Sequence, residues 1–222
     1  MSESTLASKN RKRRKSSFRE MLESVLIALF LFLLIRTFVV QAFRIPSPSM
    51  EETLLIGDFL FINKIEYGPQ VPFTNYRLPG LRAPRQGDII VFRYPGSGEN
   101  GEPAVDYIKR CVAVGGQIVE IKGKELFVDG TLQLEPYVIH TSNINDPIRD
   151  NFGPLEVPEG HLFMMGDNRD NSADSRFWGT LPMDNVRGRA FVRYFSWEDN
   201  GRLWDKIQKK KVRWERILTP II

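Results

Sequence analysis

Three short segments hold the residues with which this chain could do chemistry. They are Ile45-Pro46-Ser47-Pro48-Ser49-Met50, Asp106-Tyr107-Ile108-Lys109-Arg110, and the polar stretch Gly166–Arg176, which reads G-D-N-R-D-N-S-A-D-S-R. Pro46 and Pro48 bias the backbone around Ser47 to extended geometry, and this puts Ser49 on a stiff, exposed turn. An isolated S-P-S reads as a linker. Here the continuation from Met50 through Asp58 runs straight into an apolar segment, so the turn is coupled to the core. A serine hydroxyl is a weak nucleophile and needs an adjacent base. The two histidines are poor candidates: His140 falls in a predicted loop and His161 opens a predicted strand. A Ser-His-Asp triad through His161 and Asp167 stays open, with no motif behind it.

Lys109 is the better base. With a period of two, Tyr107, Lys109, Cys111 and Ala113 share one strand face that is uncharged apart from the lysine. Ile108, Val112 and Val114 lie on the other. The competing reading is an edge lysine whose stem is buried and whose amine reaches solvent. In a dry setting the ammonium form is disfavoured and the pKa falls from about 10.4. Lowering it to roughly 8 needs about 3 kcal/mol of differential destabilisation, which burial supplies. Such an amine can take the Ser49 proton near neutral pH.

The polar stretch follows the apolar run His161–Met165. It is unsuited to an ordinary strand or helix, because Asn, Asp and Ser side chains compete for backbone hydrogen bonds. A dense polar loop launched from a core strand is a common seat for catalytic groups. Its aspartates suggest a calcium loop, but counting from Asp167 puts Arg169 third, Ser172 sixth and Trp178 twelfth; counting from Asp170 fails as well. No metal and no cofactor is expected.

The elements that must carry these segments are mostly strands. Phe59–Ile65, Ile89–Tyr94, Tyr107–Val114, Leu162–Met165 and Arg189–Ser196 read as strands, and Ile118–Lys122 with Glu125–Val128 as a hairpin. Residues 69–84 and 143–158 read as long loops, and 203–210 as a weak helix. The expected body is mainly β, with several antiparallel sheets.

Ahead of it lie seven basic residues between Lys9 and Arg19, then Ser24–Ile35 without a charge. Met21–Val40 gives the roughly twenty positions a bilayer span needs, with Arg36 able to snorkel. The charge asymmetry keeps the tail in the cytoplasm and exports the body. A cleaved secretory signal with Val40-Gln41-Ala42 as its exit fits the segment equally well. Hydrophobic content of 42%, charged content of 26% and a net charge of +4 are ordinary for a globular chain. With Cys111 as the only cysteine, no intrachain disulfide exists.

From about Phe38 to Phe195, the three segments together resemble bacterial type I signal peptidase, a membrane-anchored Ser/Lys protease family. The resemblance implies that the apolar segment stays as an uncleaved anchor. The organisation is then a basic cytoplasmic tail at 1–20, a transmembrane anchor at 21–42 and an exported catalytic domain at 43–222, with an insertion at about 116–160. It implies Ser49 as nucleophile, Lys109 as general base, Ser47 as an oxyanion donor beside the Ser49 N–H, and Ser172 as the group that orients the lysine. Arg110, Asp167, Asp174 and Arg176 match supporting salt bridges. Phe43, Ile45, Pro46, Met50, Leu54, Tyr107 and Ile108 match the substrate pockets. The chain departs from the family at Glu52, where proline is common.

The implied activity is removal of signal peptides from exported preproteins after small residues of the Ala-X-Ala type. The implied setting is the outer face of the bacterial inner membrane, among phospholipids and near the secretion translocon. A non-catalytic, membrane-tethered β-domain that binds exported proteins is the alternative, though it leaves the Ser49, Lys109 and Ser172 motifs without a purpose. A soluble self-cleaving repressor would need a DNA-binding module, for which the N-terminal region has no room. The basic cluster Lys206–Arg216, with Trp204 and Trp214, reads as a solvated face or membrane contact rather than a nucleic-acid site.

Overall fold

The computed structural model describes residues 17–74, 76–98, 103–198 and 211–221. Helix α1 (Ser17–Phe38) is 22 residues long, or about 33 Å at the α-helical rise, which matches the hydrocarbon thickness of a bilayer. Its leucines, isoleucines and phenylalanines from Phe18 to Ile35 are exposed on every side, and only Phe38 at its end is half-buried. An all-round apolar helix left uncovered needs a non-aqueous environment.

The helix stops earlier than the expected anchor. Strand β1 (Val40–Arg44) follows it at once and pairs antiparallel with β2 (Asp58–Asn63), Val40 opposite Asn63 and Arg44 opposite Phe59. The expected span of 21–42 is therefore shifted: helix is gained at Ser17–Glu20 and lost after Phe38. Hydropathy does not separate the two states at this junction, because β-branched Val39 and Val40 suit a half-buried strand as well as a membrane helix. Val40-Gln41-Ala42, the exit site of the secretory-signal alternative, lies within the sheet.

After β2 the elements are β3 (Ile89–Arg93), β4 (Asp106–Val114), β5 (Ile118–Lys122), β6 (Glu125–Val128), β7 (Thr131–Leu132), β8 (Phe152–Glu156) and β9 (His161–Met165). A short helix α2 (Ser175–Trp178) then precedes β10 (Leu181–Pro182), β11 (Val186–Ser196) and β12 (Thr219–Pro220). The main sheet runs β1-β2-β11-β3-β4-β9-β10, with β12 on β11, and the second runs β7-β6-β5-β8. All their pairings are antiparallel. The fold is mainly β, with a single apolar helix ahead of it.

Strand β8 lies where a loop over 143–158 is expected. Gly153 and Pro154 disguise it, yet Phe152 and Leu155 pack on the second sheet's core. Strand β8 is an edge of that sheet, the position in which a sheet tolerates proline. The weak helix expected at 203–210 lies outside the described residues, as do the first sixteen residues of the basic tail.

Two strands are buried on both faces, which makes their sequences continuously apolar. In β9, Leu162 and Met164 join one core cluster while Phe163 and Met165 join another. In β3, Ile89 and Val91 face one cluster and Ile90 and Phe92 the other. Strand β4 does not keep the simple alternation expected of it. Its pairing with β9 shifts between Cys111 and Ala113, and the bulge turns Ala113 into the same cluster as Val112.

Candidate active site

Ser49 sits in a single 3-10 turn, Pro48–Met50, entered through extended Ser47 (φ −131°, ψ 156°) with Pro48 at its first position. Proline is preorganised for that position and lacks only an N–H the turn would leave unpaired. Below the turn, Met50 and Leu54 are fully buried with Ile45 and Ile108. These apolar plugs make the turn rigid. The backbone pairs Ile45 N–H to Asp58 O and Gly57 N–H to Ile45 O close its base.

At Glu52 the chain turns through φ +74°. Proline cannot adopt that angle, so the departure from the family at Glu52 coincides with a backbone turn that a proline would forbid.

Lys109 reaches Ser49 from β4, sixty positions away. Its Nζ lies 2.6 Å from Ser49 Oγ and donates a second bond to the carbonyl of Ile108 at 3.1 Å. The Tyr107 ring stands 5.5 Å from the amine. Lys109 is 4% exposed, and no carboxylate pairs with its amine among the described residues. Burial lowers its pKa to about 8, against an opposing pull from the charges of Asp174 and Asp167. At pH 7 roughly one such amine in ten is free base and able to accept a proton, against fewer than one in a thousand for an ordinary lysine. Ser47 Oγ is 3.4 Å from Ser49 Oγ.

Ser172 is buried close by, but its hydroxyl bonds nothing among the described residues, so the expected contact with the lysine is not formed. Its place in the site is marked through Gly166 instead. A Cβ on Gly166 would collide with Ser172 Oγ and with the Ser49 carbonyl, and only glycine lets the loop come this close.

The four expected ion-pair residues form two bidentate pairs. Arg110 Nε and Nη2 reach Asp167 at 2.9 and 2.8 Å, and its guanidinium lies 3.7 Å from the Tyr137 ring centroid. Arg176 Nε and Nη2 reach Asp174 at 2.8 Å each. Asp174 also accepts from the N–H of Gly166 and caps α2. The polar stretch is therefore not wholly irregular, since Ser175 and Arg176 open a short helix from the Asp174 cap. Asp170 is taken by Lys124 and Arg149 of the insertion.

Several site residues escape sequence reasoning. Asn168 donates its N–H to the Ser49 carbonyl and its side-chain amide to the Pro48 carbonyl. Thr53 Oγ1 donates to Asp167 at 2.6 Å. Arg193 and Arg216 both donate to the Thr53 carbonyl, and Arg216 also pairs with fully buried Asp58. Arg216 thus braces the segment behind the serine turn and Arg213 holds the Ile56 carbonyl, so these two members of the basic cluster bond to the body where a solvated face or membrane contact is expected. Lys206 and Trp204 lie outside the described residues. An asparagine inside a polar loop gives no sign of which backbone it will hold.

Of the expected pocket set, Ile45, Met50, Leu54 and Ile108 share one core cluster, with Phe43 packed against it. Pro46 is exposed at the entrance. Tyr107 points to a different cluster, stacked on Tyr94 with ring centroids 4.9 Å apart. The alternative triad is not assembled: His161 Nδ1 pairs with Thr180 Oγ1 at 2.8 Å, and Asp167 is taken by Arg110 and Thr53.

Over residues 18–197 the chain matches the family described as signal peptidase, peptidase S26. Signal peptidase I of Pseudomonas fluorescens is 37% identical over 204 residues, covering 77% of this chain and 70% of that protein. Signal peptidase I of Aquifex aeolicus (strain VF5) is 34% identical over 233 residues, covering 80% and 84%. A crystal structure of a signal peptidase I from Enterococcus faecalis V583 aligns at 29% identity with a TM-score of 0.41, over 50% of this chain and 98% of that one. The class is that of a serine peptidase, a hydrolase. The chain belongs to the signal peptidase family S26.

Proposed function

We propose that this protein is a single-pass membrane endopeptidase that cleaves signal peptides from exported preproteins, using Ser49 as nucleophile and Lys109 as general base. The observation that carries this reading is a 2.6 Å contact between a hydroxyl on a rigid turn and an amine whose pKa burial lowers to about 8. Neutral Lys109 removes the Ser49 proton as Oγ attacks the scissile carbonyl. The oxyanion is held by the Ser47 hydroxyl and the Ser49 N–H. Protonated Lys109 then gives its proton to the departing amine, leaving an acyl-serine ester. Water, deprotonated by the same amine, releases the acid and restores the serine. Ser172 has its hydroxyl free to bond the amine once substrate displaces the Lys109–Ser49 contact.

The substrate binds as an added strand. β4 pairs with β3 along Asp106–Arg110 but with β9 only from Arg110 onward, so the edge at 106–109 is open beside the reactive amine. Phe43, Pro46 and Tyr107 keep accessible apolar surface and form shallow walls that favour Ala-X-Ala ends, while Ile45, Met50, Leu54 and Ile108 are buried and back the site from the core. The organisation is a cytoplasmic tail, the α1 anchor and an exported catalytic body with its insertion at about 116–160. The body sits on the outer face of the inner membrane, among phospholipids and near the translocon. The strand that carries the substrate walls begins two residues after the anchor ends, which keeps the site at the depth where signal sequences terminate.

The test is preprotein cleavage by the full chain in detergent. Ser49→Ala and Lys109→Ala should each lower kcat by about 1,000-fold or more, and wild-type activity should rise with pH on an acid limb near 8. Variants as active as wild type would instead favour the binding-module alternative.

A further inference from the structure

A cavity of about 640 Å³ lies where α1 meets the body, and it shares no residue with the serine–lysine site. Its walls include Leu33 and Arg36 of α1, Lys64 just past β2, Phe73 of the following loop, Arg93 at the end of β3 and Arg187 on β11. Four of these six are cationic, and among the described residues no aspartate or glutamate lines the space. Among the described residues, Asp106 is the one carboxylate paired with any of them, 3.5 Å from Arg187. Lys64 spends two donors on the carbonyls of Arg36 and Thr37, at 3.0 and 3.2 Å. It thereby ties the last turn of α1 to the sheet. Burial, followed by the charges of Arg187 and Arg36, pulls the Lys64 pKa below its ordinary value. The four cations are thus in excess and crowded, and an anion would relieve them.

The rim has the opposite character. Phe73 stands fully in solvent at 108% relative exposure, held at φ +63° on its loop. Leu33 belongs to the uncovered apolar surface of α1. A basic floor under a rim continuous with a membrane helix fits an amphiphile better than a soluble ion. Aromatic side chains favour the headgroup level of a bilayer, and the end of α1 lies at that level if the helix spans.

We propose that this cavity binds the phosphate of an anionic phospholipid headgroup, whose acyl chains lie along α1 past Leu33 and Phe73. The guanidinium forks of Arg93 and Arg187 suit a phosphodiester. The bound lipid fixes the tilt of the catalytic body on the bilayer. The inference rests on the single-pass reading of α1.

The test uses the full chain purified in an uncharged detergent, with lipid binding read by native mass spectrometry. Short-chain phosphatidylglycerol should bind at least about ten-fold tighter than phosphatidylcholine of the same length, because two or more cations each contribute about five-fold at a membrane surface. Arg93→Gln and Arg187→Gln should each weaken phosphatidylglycerol binding by about five-fold, and the pair by about 25-fold. Arg93 makes no side-chain contact that holds the fold among the described residues, so its variant remains folded. Inorganic phosphate binding as tightly as phosphatidylglycerol would overturn the lipid assignment in favour of a soluble anion. Equal binding of the two lipids, or unchanged affinity in the double variant, would overturn the site itself. Alkaline carbonate extraction of native membranes reports separately on the anchor. Release of the protein would refute the single-pass reading, whereas a retained protein indifferent to phosphatidylglycerol would refute only the headgroup site.

Discussion

Lys109 and Arg110 are neighbours on β4, equally buried at 4% exposure each, and the fold treats their charges in opposite ways. Arg110 has a bidentate carboxylate, a third bond to the Gly87 carbonyl and an aromatic face against its guanidinium. Lys109 has a hydroxyl, a carbonyl and the Tyr107 ring 5.5 Å from its amine, with no carboxylate in contact among the described residues. A strand presents successive residues to opposite sides, so one backbone serves a paired, permanent cation and an unpaired, switchable one. The contrast separates two uses of a buried cation: full compensation keeps a charge in place, and withheld compensation lowers an amine's pKa toward the range that the proposed general base needs.

The largest effect should come from breaking the compensated side. Arg110→Ala leaves buried Asp167 without its counter-charge, with the Thr53 hydroxyl as its remaining side-chain donor, which costs about 3–5 kcal/mol. Urea unfolding should register that loss even before activity is assayed. If Arg110→Ala unfolds like wild type, the ion pair does not hold the loop.

Lys109→Met should go the other way. The folded pKa lies near 8, against about 10.5 for the free side chain. Below pH 8 the folded protein must therefore hold an ammonium in a dry niche. Stability consequently rises between about pH 8 and 10.5 as the folded state releases its proton first. Removing the amine should stabilise the protein at pH 7 by about 3 kcal/mol while abolishing cleavage, and the rise with pH should vanish. A destabilised Lys109→Met would show that the amine is compensated after all.

Ser47→Ala should lower kcat by about 100-fold with little change in KM, if its hydroxyl serves the oxyanion. A loss confined to KM would assign it to substrate binding. Smallest is Glu52→Pro. The φ of +74° excludes proline, and the change should cost at least about 1 kcal/mol in thermal unfolding. Glu52→Gly should be tolerated there.

Much of this was legible in the residues. Short apolar or alternating runs bounded by turn residues gave the positions of β2, β3, β4, β9 and β11 to within a few residues, because burial of a strand on one face or both is written directly in hydropathy. The apolar segment gave α1, although its end was misplaced where Val39 and Val40 satisfy helix and strand alike. Strand β8 stayed hidden because its stability comes from pairing with β5 and from Phe152 against the core, neither of which is local. The aspartates and arginines of Gly166–Arg176 were visible as charges, but their partners were not.

The chain order of amino acids determined the candidate groups available: one lysine on a strand face without a neighbouring acid, and one serine held between prolines and apolar plugs, with a glycine at the head of the polar loop to let that loop approach the serine turn. It could not decide their meeting. Sixty positions separate Ser49 from Lys109, and a contact across that gap exists only because β4, the serine turn and the Gly166 loop pack on shared cores. The dryness that lowers the amine's pKa is likewise a property of the packed assembly, since no residue desolvates itself. The same holds for Asn168 and Arg216, whose bonds to the serine turn follow from position in space rather than from type.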